Sequence, residues 1–324
     1  MNTINELKDL KAKALDRLQA KEGYRVVVGM ATCGISAGAK PVLDTISKKV
    51  AEKGLNVNVA PTGCIGMCVY EPIVEVYEPG KEKVTYIHMD AEKAERVVTE
   101  HLEKGKPVAE YTIGGGEGGK LKNLNDVQFY KKQKRVVLKN CGYINPEDIN
   151  DYIAIDGYQG LTKVLTQMTP NGVIDLLKES GLRGRGGAGF PTGTKWSFAA
   201  KNEADQKYLI CNADEGDPGA FMDRSILEGD PHSVLEAMAI GGFAIGASKG
   251  FIYVRAEYPV AVKRLKIAID QAKDLGFLGK NILGSGFDFD IEIRLGAGAF
   301  VCGEETALIA SIEGKRGMSR NKPP

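Results

Sequence analysis

The sequence predicts an α/β protein of two domains, and three observations carry that prediction. β-Branched runs such as Tyr24-Arg-Val-Val-Val-Gly and Phe251-Ile-Tyr-Val alternate with helix-period segments. Glycine-rich or polar turns follow several of the strands. A glycine- and charge-rich stretch between residues 106 and 130 separates two different element patterns.

In chain order, residues 2–20 read as a polar helix and Tyr24–Gly29 as a strand. Lys40–Lys53 is helical, with Val42, Leu43, Ile46 and Val50 on one face. Leu55–Ala60 alternates like a strand. Pro72–Tyr77 and Lys83–Ile87 form a hairpin about the turn Glu78-Pro-Gly-Lys, and Asp90–Lys104 closes the module as a helix. Strand, helix, strand, hairpin, helix is a thioredoxin-like order. It places a first domain at 1–106, a linker at 107–135 around Ile113-Gly-Gly-Gly-Glu-Gly-Gly-Lys, and a second domain at 136–324.

In the second domain Gly172–Gly181 reads as a helix that runs into a glycine loop. Lys207–Cys211, Phe251–Val254 and Asp288–Leu295 read as strands; Pro231–Ile245, Val260–Leu275 and Thr306–Ile312 read as helices. Such alternation implies a largely parallel, Rossmann-like sheet covered on both faces.

Composition excludes several function classes. The net charge is +1, from 43 basic and 42 acidic residues, so nothing draws the chain as a whole to nucleic acid or to an anionic membrane. The N-terminal 21 residues lack an apolar signal core, and the most apolar window, Met238–Val254, is broken by glycines and Lys249. A soluble, cytoplasmic chain is expected. In that compartment the pair Cys64-Ile-Gly-Met-Cys68 points to metal or redox chemistry rather than to a structural disulfide.

The stretch Gly181-Leu-Arg-Gly-Arg-Gly-Gly-Ala-Gly-Phe-Pro-Thr-Gly-Thr-Lys-Trp196 combines bare backbone with three cations. Uncovered amides approach a phosphate closely and flanking cations neutralise it. Gly184, Gly186 and Gly189 match G-x-G-x-x-G, but a helix precedes them where the dinucleotide fingerprint needs a strand. Gly193 and Lys195 are not adjacent, so the P-loop pattern fails as well. An anion cradle of another type stands against a plain flexible loop. Ligands in parallel sheets sit at the carboxyl ends of strands. Asn212, Asp214 and Glu215 follow one such end, as an acidic turn or as partners for ring nitrogens and ribose hydroxyls. Glu304 and Glu305 follow another, in the first turn of a helix, where capping alone accounts for them.

Three motifs in order, Gly181–Trp196, Cys211-Asn-Ala-Asp-Glu-Gly-Asp-Pro-Gly and Gly296-Ala-Gly-Ala-Phe-Val-Cys-Gly-Glu-Glu-Thr-Ala-Leu, closely resemble a known family. It comprises the FMN-carrying, NADH-oxidising subunits of respiratory complex I and their soluble hydrogenase and formate dehydrogenase relatives. The resemblance spans about Val136–Pro324. It implies that Gly184, Arg185, Gly186, Gly187 and Lys195 hold the FMN phosphate, and that Asn212, Asp214, Glu215, Gly303 and Glu304 line the flavin. Phe190 and Phe198 would flank NAD(H), with Glu305 and Lys322 as further contacts. Glu305 and Phe190 would act at the site of hydride transfer between NAD(H) and FMN, which then releases single electrons to iron–sulfur clusters. The family continues beyond the point where this sequence stops, into a helical bundle carrying a 4Fe-4S cluster, so a C-terminal continuation is expected. Cys141, Cys211 and Cys302 read as packed or site-lining thiols.

Cys33, Cys64 and Cys68 resemble the ligands of the thioredoxin-like 2Fe-2S domains of the same enzyme systems, in which four thiolates are usual. The first ligand, near Val28, is unfilled; in the alternative register the gap falls near Gly38. A 2Fe-2S centre with a non-cysteine fourth ligand, zinc, a redox-active thiol pair and a degenerate site all stay open. Fusion of the two modules resembles the diaphorase component of soluble [FeFe]-hydrogenases, including electron-bifurcating ones. The expected partners are a small 2Fe-2S ferredoxin-like subunit, a hydrogenase catalytic subunit and, through the complex, ferredoxin. A complex I-like or formate dehydrogenase assembly, a non-catalytic electron-transfer subunit and a cysteine-based regulator are the alternatives. No residue decides between NADH and NADPH.

Overall fold

The structure, a computed structural model, describes residues 4–115 and 127–321. The chain divides into two compact units. One comprises Asp9–Ile155 with Ser225–Asp230; the other comprises Met1–Lys8, Asp156–Arg224 and Pro231–Pro324.

The first contains α1 (Ile4–Leu18, from Asp9 on), β1 (Tyr24–Gly29), α2 (Thr32–Ser36), α3 (Ala39–Glu52) and β2 (Val57–Thr62). β3 (Val74–Tyr77), β4 (Val84–Tyr86), α4 (Ala91–Val97), α5 (Gln128–Lys131) and α6 (Ile149–Ala154) follow. A π-helical turn, Val98–Leu102, prolongs α4. The sheet order is β2-β1-β3-β4, with β1 and β2 parallel and the other pairs antiparallel. This is the thioredoxin-like order that the element sequence requires. Val42, Ile46 and Val50 of α3, four residues apart, pack on Val26, Val28, Val74 and Val76 of the sheet.

The sequence ends this module at residue 106, whereas the compact unit takes in residues up to Ile155. A buried charge accounts for the difference. Arg25 of β1 is 1% exposed; its guanidinium donates to the Tyr143 carbonyl and lies 3.3 Å from Asp151 of α6. Asp151 also accepts from Arg17 at 2.8 Å. A buried guanidinium needs such partners, and residues 143–151 supply them.

The second unit contains α7 (Gln159–Gln167), α8 (Pro170–Ser180), α9 (Thr192–Lys201) and β5 (Tyr208–Ala213). After α10 (Met222–Gly229), whose residues are divided between the units, come α11 (Pro231–Ile245), β6 (Lys249–Arg255), α12 (Pro259–Asp274), β7 (Asp290–Gly296) and α13 (Glu305–Ile312). The strands form a parallel sheet in the order β5-β6-β7. Side chains alternate across it: Leu209 meets α11 at Gly241, while Ile210 packs with Tyr253, Leu308 and Ile312 on the α13 side. Both faces are therefore covered, as expected. α11 packs against α7, α8, α9, α12 and β5, which explains why its sequence is apolar nearly all round. Ala213, Val254 and Leu295 are in register, so the three carboxyl ends share one edge. No helix among the described residues is long and apolar enough to cross a membrane.

Burial pushes His101 down to about 4 from its ordinary 6.5. Between those values the unfolded chain binds more protons, so stability falls as pH drops from about 6.5 to about 4. Denaturant unfolding of the wild type and of His101→Gln across this window should show their difference shifting against the wild type as pH falls. A pH-independent difference would show that His101 does not titrate in this way.

Candidate functional site

Thr169 caps α8 by accepting from Gly172 N, and Pro170 supplies a preset first-turn φ. α8 and α9 approach so closely that a Cβ at Gly193 would lie 2.6 Å from Lys178 N. Between these helices the chain makes a pinched loop. Gly184 N donates to Phe190 O at 2.9 Å, Thr192 N to Leu182 O at 2.9 Å, and Arg183 Nη1 to Gly189 O at 3.0 Å. The tip, residues 185–188, is exposed. Gly187 has φ +99°, which other residues resist, and added Cβ atoms at Gly186, Gly187 or Gly189 would enter open space. A pinched base with a bare tip is a cradle that side chains would fill.

Other elements bring further predicted residues to the same unit. Lys195, on α9, points its Nζ to within 3.6 Å of Glu305 Oε2, the first residue of α13. Both are about half exposed, so the pair itself contributes little and leaves the ammonium free to meet another anion. The Phe190 and Phe198 rings lie 6.5 Å apart and are largely exposed. Asn212 Nδ2 donates to Gly303 O at 2.8 Å, which joins the edges after β5 and β7. Asp214 accompanies them: its backbone N donates to Asn212 Oδ1, and its buried Oδ2 has no hydrogen-bond partner among the described residues. Burial raises the Asp214 carboxyl against the opposing pull of Arg255. An orphaned buried acceptor at the carboxyl edge of the sheet fits a ligand that carries ring N–H donors.

Two predicted carboxylates are turned to other work. Glu215 is buried and accepts from the Asp223 and Arg224 amides at 3.1 and 3.2 Å and from Tyr258 Oη at 3.3 Å. Its carbonyl accepts from Arg255 at 2.7 Å. Glu304 is the N-cap of α13, accepting from the Thr306 and Ala307 amides. Both hold the wall of the site through helix N-termini. Lys322 lies outside the described residues. Arg255 and Tyr258 were missed by sequence reasoning; their signal was their position at and just after the end of β6, at the shared carboxyl edge.

In the first unit, Cys33, Cys64 and Cys68 have Sγ atoms all within 4.8 Å of one another. Cys33–Cys64 is 3.4 Å and Cys64–Cys68 is 3.9 Å, and all three thiols are free. The hydrogen bond to Cys64 and burial raise the Cys33 thiol; burial, then Cys33, raises Cys68. Thiols that hinder one another's ionisation suit a bound cation, which reverses that cost. Short local bonds fix the positions. Gly66 N donates to Cys64 Sγ at 3.2 Å, and Tyr130 Oη to the Ile65 carbonyl. Glu228 accepts from Thr32 N at 2.8 Å, holding the turn that carries Cys33. Glu228 was not legible from the sequence, since almost 200 residues separate it from Thr32.

Residues 177–324 match the family described as the Nuo51 FMN-binding domain. The chain is 71% identical over 194 residues to the NADP-reducing hydrogenase component HndC of Solidesulfovibrio fructosivorans, covering 60% of this chain and 39% of that protein. An F-type component of the NADH-quinone oxidoreductase of Rhizobium meliloti is 51% identical over 189 residues, 58% of this chain and 45% of that one. The corresponding Escherichia coli protein is 48% identical over 180 residues, 55% and 40% respectively. The chain thus spans less than half the length of these curated relatives.

Gly193→Ala should force α8 and α9 apart and destabilise the chain by about 1–3 kcal/mol. Gly186→Ala, facing open space, should stay within about 0.5 kcal/mol of wild type. Denaturant midpoints of the ligand-free proteins check both; equal midpoints would show that the helices do not depend on this approach.

Proposed function

We propose, from the match of residues 177–324 to the Nuo51 FMN-binding domain family, that the chain is the NAD(P)H-oxidising flavoprotein component of a multi-subunit hydrogenase. The bare tip at residues 185–188, pinched at its base and followed by Lys195 on the next helix, carries this reading. The Gly186 and Gly187 amides, with Arg185 and Lys195, hold the FMN phosphate, while Gly184, whose amide is engaged with the Phe190 carbonyl, keeps the base of the cradle closed; a phosphate outcompetes Glu305 for the Lys195 ammonium because it brings more charge. Asp214 Oδ2 and Asn212 hold the ring, with Gly303 leaving it room. Phe190 and Phe198 flank the nicotinamide, and Glu305 and Lys322 bind the same nucleotide. Glu215 and Glu304 act through the helices they cap. A flavin bound there would supply the chemistry of hydride acceptance and single-electron release. The chain supplies orientation and charge.

The hydrogenase reading rests on the 71% identity to a hydrogenase component, against 48–54% to NADH-quinone oxidoreductase components. Under it the partners are a ferredoxin-like small subunit and a hydrogenase catalytic subunit. Cys33, Cys64 and Cys68 hold a 2Fe-2S centre, whose soft thiolate donors fit iron or zinc and whose sulfide content separates the two.

The complete protein, purified without oxygen, should be yellow, release FMN on denaturation and reduce an artificial acceptor with NADH or NADPH. Lys195→Glu should lower FMN affinity at least about tenfold, with unchanged thermal unfolding of the ligand-free form. A protein that retains flavin at wild-type strength after this change would overturn the phosphate assignment.

A further inference from the structure

A 2Fe-2S centre takes four protein ligands, and the thiol group on this chain offers three. The family resemblance leaves the gap near Val28 or, in the alternative register, near Gly38; Val28 is fully buried and packs with Val26 and Met30 in the core, and a Cβ at Gly38 would meet nothing within 4 Å. Gly29, the neighbour of Val28, projects to the opposite face of β1. A Cβ there would lie 2.9 Å from both carboxylate oxygens of Glu71, and one at Gly34, next to Cys33, would lie 3.3 Å from Glu71 Oε2. The carboxylate therefore stands between the end of β1 and the turn that carries Cys33. Glu71 also follows Cys68 directly across the 3-10 turn Cys68–Tyr70, so the two are held by one short rigid segment.

The surroundings of Glu71 are unusual for an acid. The residue is 7% exposed, accepts one hydrogen bond, from Ile73 N at 2.8 Å, and among the described residues has no ion-pair partner. A carboxylate buried without a cation is costly. Lys83, which faces the neighbouring acid Glu75, leaves Glu71 uncompensated.

We propose that Glu71 is the fourth ligand, so that the N-terminal centre is a 2Fe-2S cluster held by three thiolates and one carboxylate. This rests on reading Cys33, Cys64 and Cys68 as cluster ligands. Loading is ligand exchange without net redox change: the three thiols release their protons, and a carboxylate oxygen fills the open iron position. Cys141 is the competing donor. Its Sγ lies 3.5 Å from a Cβ at Gly63, beside Cys64; like Glu71 it falls outside the group of three thiols, but it packs tightly against Gly229 rather than lying beside the turn that carries Cys33.

The test loads the full chain anaerobically with ferric iron and sulfide, then desalts it and reads iron, sulfide, zinc and Mössbauer spectra. Wild type should hold iron and sulfide in equal amounts, with two unequal ferric sites, the oxygen-bound one at the larger isomer shift. Glu71→Cys should keep the iron and make the sites alike. Glu71→Ala should lose roughly tenfold or more in iron retention. Glu71→Gln preserves the bond from Ile73 N through its amide oxygen; it should lose the wild-type inequality while its circular dichroism matches that of the wild type. Cys141→Ser should change nothing. Wild-type spectra in both Glu71→Ala and Glu71→Gln, or loss of the inequality in Cys141→Ser, overturns the carboxylate ligand alone. Zinc without sulfide in the wild type, or full loading of Cys33→Ser, overturns the cluster reading beneath it.

Discussion

A peptide N–H meets an anion at full strength only where no side chain stands over it and the chain is held still. The loop between α8 and α9 answers both demands. Glycines clear the tip, while paired backbone hydrogen bonds between residues 182–184 and 190–192 hold its base. The close approach of α9 to α8 at Gly193 anchors that base to the unit. Without this rigidity the bare amides would lose on ordering much of what they gain on binding. The parallel sheet then brings two more carboxyl ends to the same edge, and Asn212 ties them together through Gly303.

Carboxylates serve as builders here as often as they serve as candidate ligands. Glu215 caps the start of α10, Glu304 that of α13, and Glu236 accepts from the Tyr158 and Leu161 amides at the start of α7. Each replaces missing intrahelical acceptors with a charge that the helix dipole favours. Buried acids thus have local reasons to be charged. Glu71 stands apart from them, with a single amide donor and no helix N-terminus before it. Asp214 Oδ2 is the corresponding exception in the second unit. Among the described residues, Glu71 and Asp214 are two acids whose surroundings leave room for a partner beyond the chain.

The periodicity of local segments was readable because each depends on neighbours three, four or two residues away. Val42, Ile46 and Val50 mark α3, and the β-branched runs mark β1 and β6. Pro231–Ile245 was legible as a helix to the residue. The helices α6, α7, α9 and α10 were not read. α9 begins inside the glycine loop, where Gly193 and Thr194 mask its period, and its apolar face shows only once α11 lies against Trp196. The reach of the first unit to Ile155 escaped for a similar reason: Arg25 resembles any charged strand residue until Asp151 is beside it.

From the amino-acid order alone came the α/β class, the thioredoxin-like and parallel halves, the glycine loop and the trio Cys33, Cys64 and Cys68. These are local patterns or short spacings, and the chain carries them wherever it folds. Tertiary structure alone decided which acids cap helices and which stand without a partner. It also brought Glu228 to Thr32 and Glu71 to the space above Gly29. Burial and long-range proximity set the charge state and bonding of a side chain, and neither is written in the residues beside it.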